Sequence, residues 1–431
     1  MAHIMVLAAV ATAAVLAPGG ASAETLQQAW RLAIEHDSEL AAASADFQGA
    51  LSSERAARAA RWPSLMASAG YTRFESAPQF AIAGSGLTLQ APIFSGDDYV
   101  MGSVQMKLPL YTGGRISAGI EAAHHEAMSA SDAERVARSS LRLDVAQSYV
   151  NVLRARRLLQ AAESEVTSLT AHVADVDRMV TRELVARSDL LAGRVALANA
   201  EQERVRADNA VALAYAAYNR RLGESLDRTP DLEDQVPVDS ALAAEPLDVL
   251  IKRALESRNE IGALSARADG LEQQSAAQRA DLRPQLAVSV GYTYLESQIL
   301  DRKDFTTVAV GLTWNLFDGG QARNRSSALR SASIATRHRM EDLRSAIELE
   351  VREAWLGVRE ARARVAASGD AVAQAEENLR ITRELYGSGL GTNTQVLEAV
   401  ALQILARNNH DNAGFDESLA NLKLARAVGT L

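Results

Sequence analysis

The sequence predicts a mainly α-helical fold carrying a few membrane-suited β-strands, in which a helix–strand–strand–helix–helix unit occurs twice. Three observations predict it. The chain repeats itself in register, first at an interval of about 221 residues and then of about 206. Each copy holds one proline-free run of roughly 65 residues. Each copy also holds runs in which apolar and polar residues alternate with period two.

The first repeat spans residues 24–223 and the second 246–431. Residues 25–72 align with 246–293 without a gap: Ala33 meets Ala254, Glu39 meets Glu260, Gly49 meets Gly270, Arg58 meets Arg279 and Pro63 meets Pro284. Farther on, Leu110-Tyr111-Thr112-Gly113-Gly114 pairs with Leu316-Phe317-Asp318-Gly319-Gly320, and Tyr149 with Trp355. Chance similarity between alanine-rich helices does not hold one register across glycines, prolines and aromatics. The change of interval gives the first copy about fifteen extra residues, rich in Gly, Ser and Pro, read as an exposed loop. Residues 224–245, with Pro230, Pro237 and several carboxylates, form the linker between copies.

Residues 1–23 read as a secretory signal. Met5 to Ala17 is an apolar run too short to span a bilayer, Pro18-Gly19-Gly20 breaks it, and Ala21-Ser22-Ala23 offers a cleavage site ahead of Glu24. The stretch before the run has no Lys or Arg, only His3. A helix over 25–62, and its copy ending at Arg283, stop where Pro63 and Pro284 disfavour helical backbone in the preceding residue.

Strands are expected at about 65–74 and 102–111 in copy one, and at 286–296 and 305–317 in copy two. Leu286, Val288, Val290 and Tyr292 share one side of their strand, as do Val308, Val310, Leu312 and Trp314 of the next, with small or polar residues opposite. Runs of about 9–11 residues with one greasy face suit tilted membrane strands. Tyr71, Tyr111, Tyr292, Trp314 and Phe317 fall near strand ends, where interfacial aromatic belts form. The alternative is an antiparallel sheet on a soluble core; the export signal and the neighbouring helices favour the membrane.

Long helices are expected at about 117–184 and 321–386, the second interrupted by Gly357 and Gly369. At ~1.5 Å per residue each approaches about 100 Å. Heptad-like spacing of Val166, Leu169, Val173, Val176 and Val180 suggests coiled-coil pairing. Each long helix turns at a short loop, Leu184 to Arg187 or Gly387 to Asn393. Ser188 and Thr394 are natural N-caps for return helices over 188–222 and 394–428. The helix before the strands and the return helix together nearly match the long helix, so each copy can build one continuous and one broken staff.

The chemistry-bearing patterns are few. Absence of cysteine excludes disulfides, thiolate metal sites, a cysteine nucleophile and a cysteine-linked lipid anchor. A formal net charge of −9 argues against nucleic acid. His124-His125-Glu126 lacks the second histidine of a zinc helix, since position 129 is Ser. Gly387-Ser388-Gly389-Leu390-Gly391 lacks the lysine and the context of a phosphate loop. No catalytic constellation emerges, so the chain reads as a non-enzyme without cofactor or metal. No segment after the signal approaches ~18 uninterrupted apolar residues, so any crossing of a membrane falls to the strands. Four strands do not close a barrel, for which about eight are the practical minimum. Open sheet edges in lipid leave backbone groups unpaired, so other subunits must complete the rim.

Taken in order, the duplicated unit, the Trp62-Pro63 and Arg283-Pro284 junctions, the two Gly-Gly strand ends, and Tyr386-Gly387-Ser388-Gly389 leading to Val396-Leu397 resemble the TolC-type outer-membrane factor family. The resemblance covers nearly the whole mature chain. It implies a homotrimer in the outer membrane of a Gram-negative bacterium: one twelve-stranded β-barrel continued by a periplasmic α-barrel of twelve coiled-coil staves, with a mixed α/β belt. It implies a channel of a tripartite efflux or type I secretion system, gated at its periplasmic tip. Its partners would be outer-membrane lipid, a periplasmic adaptor (membrane fusion) protein and, through that adaptor, an inner-membrane pump of RND or ABC type.

By position, Leu184, Val185 and Ala186 match one adaptor-docking turn, and Leu390, Gly391 and Thr392 the other. Asp189 and Tyr386 match two residues of a closed-state latch, and Gln395 and Glu398 align with two carboxylates that ring the entrance. Two departures stand out. The position of the latch arginine is Gly391, with Arg187 nearby, and the first ring carboxylate is Gln395, which leaves cation selectivity to Glu398. A passive outer-membrane porin, a periplasmic adaptor and a soluble coiled-coil scaffold are the other readings. The long helices argue against the first, the duplication with lipid-suited strands against the second, and the signal with strand alternation against the third.

Overall fold

The computed structural model describes residues 23–84, 87–94, 96–234, 236, 241–297 and 300–431; apart from Ala23, the signal assigned to 1–23 lies outside them. The described elements are α1 (Leu26–His36), α2 (Ser38–Ala59), β1 (Ser64–Arg73), β2 (Gln79–Gly84), β3 (Leu87–Pro92), β4 (Asp98–Tyr111), α3 (Arg115–Thr181) and α4 (Arg187–Leu222). A 3-10 turn (Leu242–Ala244) leads to α5 (Leu247–Ser257), α6 (Asn259–Ala280), β5 (Gln285–Leu295), β6 (Asp304–Thr313), α7 (Gln321–Gly387) and α8 (Asn393–Val428).

Two compact units cut across the repeats, each taking part of both copies. One comprises residues through Ser38, Ser139–Leu250 and Val351–Leu431; the other comprises Glu39–Arg138 and Ile251–Glu350. Helices α3, α5 and α7, and α2 by its first residue Ser38, contribute to both, because each is continuous where the units divide.

Several boundaries differ from the sequence reading. The helix expected over 25–62 is two helices, broken at Asp37, and its copy breaks at the equivalent Arg258; both residues have extended backbone (ψ 121° and 116°). Neither break carries proline or glycine. Gly357 and Gly369 do not interrupt α7, whose packing outweighs the roughly 1 kcal/mol that an interior glycine costs. The extra residues of copy one are not simply loop: β2 and β3 pair as an antiparallel hairpin. Strand β4 begins at Asp98 rather than 102, and β6 ends at Thr313 rather than 317.

In the strand-bearing unit, β1, β4, β5 and β6 form one antiparallel sheet in that order. Directly opposed residues of antiparallel strands share a face, so the register assembles the alternation into two surfaces. Leu65, Met106, Val290 and Val308 form one cross-strand row; Val104, Tyr292 and Thr306 form another on the same side. Gln105 with Gly291 and Thr307, and Ser103 with Thr293, lie on the other side. The sheet thus has one apolar and one polar face. Beside it, α3, α6 and α7 approach closely through small residues. Ser129 Oγ donates to the Ala263 carbonyl, Ser333 Oγ to that of Ala268, and the Ser275 and Ser326 hydroxyls lie 2.8 Å apart. This is what the alanine-rich composition provides: short side chains let backbones come near, and serine hydroxyls bond across the gap.

The Gly-Gly motifs join strand to long helix. Gly113 and Gly114 have φ of 63° and 93°, and Gly319 and Gly320 of 68° and 86°, the left-handed region where a Cβ is disfavoured. The residue ahead of each pair caps the helix: Thr112 Oγ1 accepts from Ile116 N–H, and the Asp318 carboxylate accepts from Gly320 and Ala322 N–H. A Cβ on Gly113 would also lie 2.6 Å from Arg283 Cβ, whereas one on Gly319 meets open space. Gly113→Ala is therefore expected to destabilise by about 2–4 kcal/mol, and Gly319→Ala only by the ~1–2 kcal/mol of left-handed backbone. Paired thermal melts in detergent check the ranking.

The unit comprising Ser139–Leu250 and Val351–Leu431 is helical. The heptad positions of α3 are its core: Leu169 packs with Ala200, Leu379, Ala399 and Val400 and touches Val166, while Val176 packs with Leu190, Tyr386 and Val396 and touches Val173 and Val180. Asp416 on α8 bridges Arg154 on α3 and Arg364 on α7. Residues 230–233, after α4, are held by hydrogen bonds. Residue 24 bridges in parallel to Leu232, Arg156 donates to the Pro230 and Leu232 carbonyls, and the Tyr149 hydroxyl shares its one proton between the carbonyls of Glu24 and Glu233, both at 2.8 Å.

Candidate functional site

Both hairpin turns, α3 to α4 and α7 to α8, are built on one backbone plan. Leu184 N–H reaches back to Met179 O (3.0 Å) and Glu183 N–H to Val180 O (2.9 Å). Leu390 N–H reaches Leu385 O (2.9 Å) and Gly389 N–H reaches Tyr386 O (3.0 Å). These are Schellman closures, with the left-handed position filled by Glu183 (φ 57°) in one turn and Gly389 (φ 76°) in the other. The closure ends each helix abruptly and turns the next side chain outward. Leu184 is 66% exposed and Leu390 80%. Val185 and Gly391 are half-buried, and Ala186 and Thr392 exposed.

The return helices start one residue earlier than expected, and their caps lie two residues earlier. Ala186 is the N-cap residue of α4 and gives no side-chain bond. Thr392 caps α8 in a full capping box with Gln395, so Ser188 and Thr394 do not cap. Gln395 therefore has a local task, its Oε1 accepting from Thr392 N–H at 2.8 Å. Glu398 stands exposed one turn later.

Asp189 and Tyr386 come together. Tyr386 is buried, and burial first, then the Asp189 charge, raises its phenol above the ordinary tyrosine value. Its hydroxyl makes no hydrogen bond of good geometry. Gly391 offers no side chain in place of the missing arginine. A Cβ there would be tight, 3.0 Å from Tyr386 N and 3.3 Å from Leu385 Cβ, so its neighbours would have to give by a few tenths of an ångström. Arg187 is exposed at the first residue of α4.

Two residues that sequence reasoning passed over complete the cluster. His172 on α3 and Asn393 on α8 are both buried, with His172 Nε2 2.7 Å from Asn393 Oδ1. Asn393 Nδ2 donates to the Asp189 carbonyl at 3.2 Å. The imidazole stands 5.6 Å from the Tyr386 ring. An open cleft of about 980 Å³ borders the cluster, with Arg178, Arg182, Arg383 and Arg407 among its lining residues.

The aromatic candidates divide between the two ends of the sheet. Tyr71 and Tyr292 lie toward the β4–β5 end that opens at Asp98 and Leu295, although Tyr292 sits three residues inside its strand, opposite Thr306. Tyr111 ends β4 at the opposite end, and Trp314 and Phe317 lie just past β6. All five are exposed. About ten residues of strand separate the groups; tilted by 35–45°, they match an apolar band of ~25 Å. Among the described residues, no helix is long and apolar enough to cross a membrane.

A family model described as outer membrane efflux protein matches residues 29–224 and 250–430. The chain is 22% identical over 419 residues to outer membrane protein TolC of Vibrio cholerae serotype O1, covering 95% of this chain and 91% of that protein. In fold it is similar to CusC, with a TM-score of 0.80 at 17% identity, over 94% of this chain and 92% of the other. It is likewise similar to the outer membrane protein VceC of Vibrio cholerae, with a TM-score of 0.78 at 19% identity, over 94% and 96%. A match along both repeats, together with a two-faced sheet and paired helical hairpins, places the chain in the outer membrane and in the outer membrane efflux protein family.

Proposed function

We propose that this chain is the channel subunit of a tripartite efflux or secretion system. Three copies join edge strands β1 and β6 into one barrel, and the helical hairpins form a periplasmic conduit gated at their turns. An adaptor docks on the turns and links the channel to an inner-membrane pump of RND or ABC type. One observation carries the docking reading: two leucines, at equivalent places in the repeats, are held out into solvent by identical backbone closures. Exposed leucine on a rigid turn is a ready anchor for a partner's apolar pocket. Three Glu398 carboxylates around a common axis would favour cations. A passive porin has no use for such turns.

Leu184→Asp combined with Leu390→Asp tests the reading. The pair is expected to lower ethidium efflux at least about tenfold, the scale of a lost interface hot spot. The experiment uses cells lacking other outer-membrane channels. The heat-resistant trimer is expected to persist on gels, because both side chains already lie in water. Unchanged efflux overturns docking at the turns.

A further inference from the structure

We propose that His172 and Asn393 form a pin that fastens the α3–α4 hairpin to the α7–α8 hairpin, so that opening of the tip must first break it; this rests on the gated reading above. Asn393 is the first residue of α8, where asparagine commonly spends its side chain on the helix end. Here Thr392 and Gln395 already satisfy that end through the capping box. The Asn393 amide is released for a cross-helix task. Its nitrogen donates to the Asp189 carbonyl on α4, so its oxygen faces His172, and His172 Nε2 must be the donor. The bonded path thus runs from α3 through α8 to α4, and the Tyr386 ring of α7 packs against the imidazole. Four helices meet at one buried polar pair.

The surroundings explain why this pair matters. Around it the hairpins are held by aliphatic packing of Val173, Val176, Leu190 and Val396. Such packing is non-directional and tolerates sliding. A hydrogen bond in a buried site is directional, and breaking it strands a donor and an acceptor away from water. The pin therefore selects one arrangement of the two turns. It also stands beside position 391, where glycine supplies no side chain for a latch and a Cβ would be tight against Tyr386 N at 3.0 Å.

Single-channel recording of purified protein in planar bilayers tests it. His172→Phe keeps an aromatic ring without a donor, and Asn393→Leu keeps the volume without the amide. Each is expected to shift the ratio of open to closed states about tenfold toward open, the scale of one lost buried hydrogen bond. The double variant should go no further than either single, since both remove one bond. His172→Gln, which keeps an N–H donor, should restore closure, a result that lost packing alone does not give. Wild-type gating in His172→Phe and Asn393→Leu, while Asp189→Ala or Tyr386→Phe alters it, overturns the pin and leaves the gate. No change in any of the four overturns the gate itself. If a variant does not assemble, the cysteine-free chain allows His172→Cys with Asn393→Cys, bridged by a reducible bis-methanethiosulfonate. Bridging should hold the channel closed until reduction, and conductance indifferent to the bridge overturns the pin.

Discussion

Val308→Arg is expected to remove the protein from the outer membrane, while Ala309→Arg, one residue along the same strand, leaves it there. The two positions differ only in face. Val308 lies opposite Val290, in the row that continues through Met106 to Leu65, and is 70% exposed on the single chain. Ala309 lies opposite Ser289, in the row of Lys107 and Ser64. If the apolar face meets lipid, arginine near mid-strand costs about 2–4 kcal/mol per copy, and every subunit of the barrel bears it. On the polar face the guanidinium meets water. Outer-membrane fractionation and the heat-modifiable band on gels read the outcome. Equal assembly of both variants would falsify the assignment of faces, and loss of Ala309→Arg alone would invert it.

That contrast was legible in the sequence because strand alternation is local: Val308, Val310 and Leu312 announce one face within five residues. So was the hairpin architecture, since a heptad stripe such as Leu169, Val173 and Val176 is also local. Element ends were less legible. Ser188 and Thr394 align between the repeats and are both good capping residues, and the sequence places the caps there. Yet Thr392 with Gln395 is the S/T-x-x-E/Q capping box, present in one copy only because its counterpart is Ala186. The helix breaks at Asp37 and Arg258 recur at equivalent sites but carry no breaker, so packing, not propensity, places them.

The polar clusters were invisible for another reason. His172 and Asn393 are 221 residues apart, and Tyr218 bonds a carboxylate 194 residues away. Periodicity reports which face of a helix is buried. It does not report which lone polar residue on that face finds a partner on another helix. The same limit separates the two kinds of site residue here. Asp189 and Tyr386 were reached through resemblance and do lie together, whereas the side chains that hydrogen-bond beside them needed the fold.

The largest stability loss in the helical unit is expected from Glu24→Ala, at the first residue after the expected cleavage site. Glu24 is buried and its carboxylate has two partners: Tyr218 Oη donates to Oε1 at 2.6 Å, and Arg228 donates to Oε2 at 2.6 Å. Alanine strands the Tyr218 hydroxyl, itself fully buried, and leaves Arg228 partly buried without its carboxylate. Removing one partner of a buried pair costs about 3–5 kcal/mol, and because Arg228 keeps some access to water the loss should fall near ~3 kcal/mol. Glu24→Gln keeps an acceptor for Tyr218 but turns an amide N–H toward Arg228, so it should fall between wild type and alanine. Tyr218→Phe should cost about 1–2 kcal/mol, and in the double variant with Glu24→Ala it should recover part of the loss, because the stranded hydroxyl is removed.

Alkaline pH offers an independent reading of the same site. Burial, then the hydrogen bond to Glu24, pushes the Tyr218 phenol far above its ordinary value of 10.0. The folded chain then keeps a proton that the unfolded chain releases above that value, so this contribution is intact below pH 10 and declines as pH rises beyond it. Tyr218→Phe should flatten the alkaline decline in melting temperature while lowering the plateau at neutral pH. A Phe variant that melts lower at neutral pH yet declines as steeply as wild type above pH 10 would separate the two effects and remove Tyr218 as the titrating group.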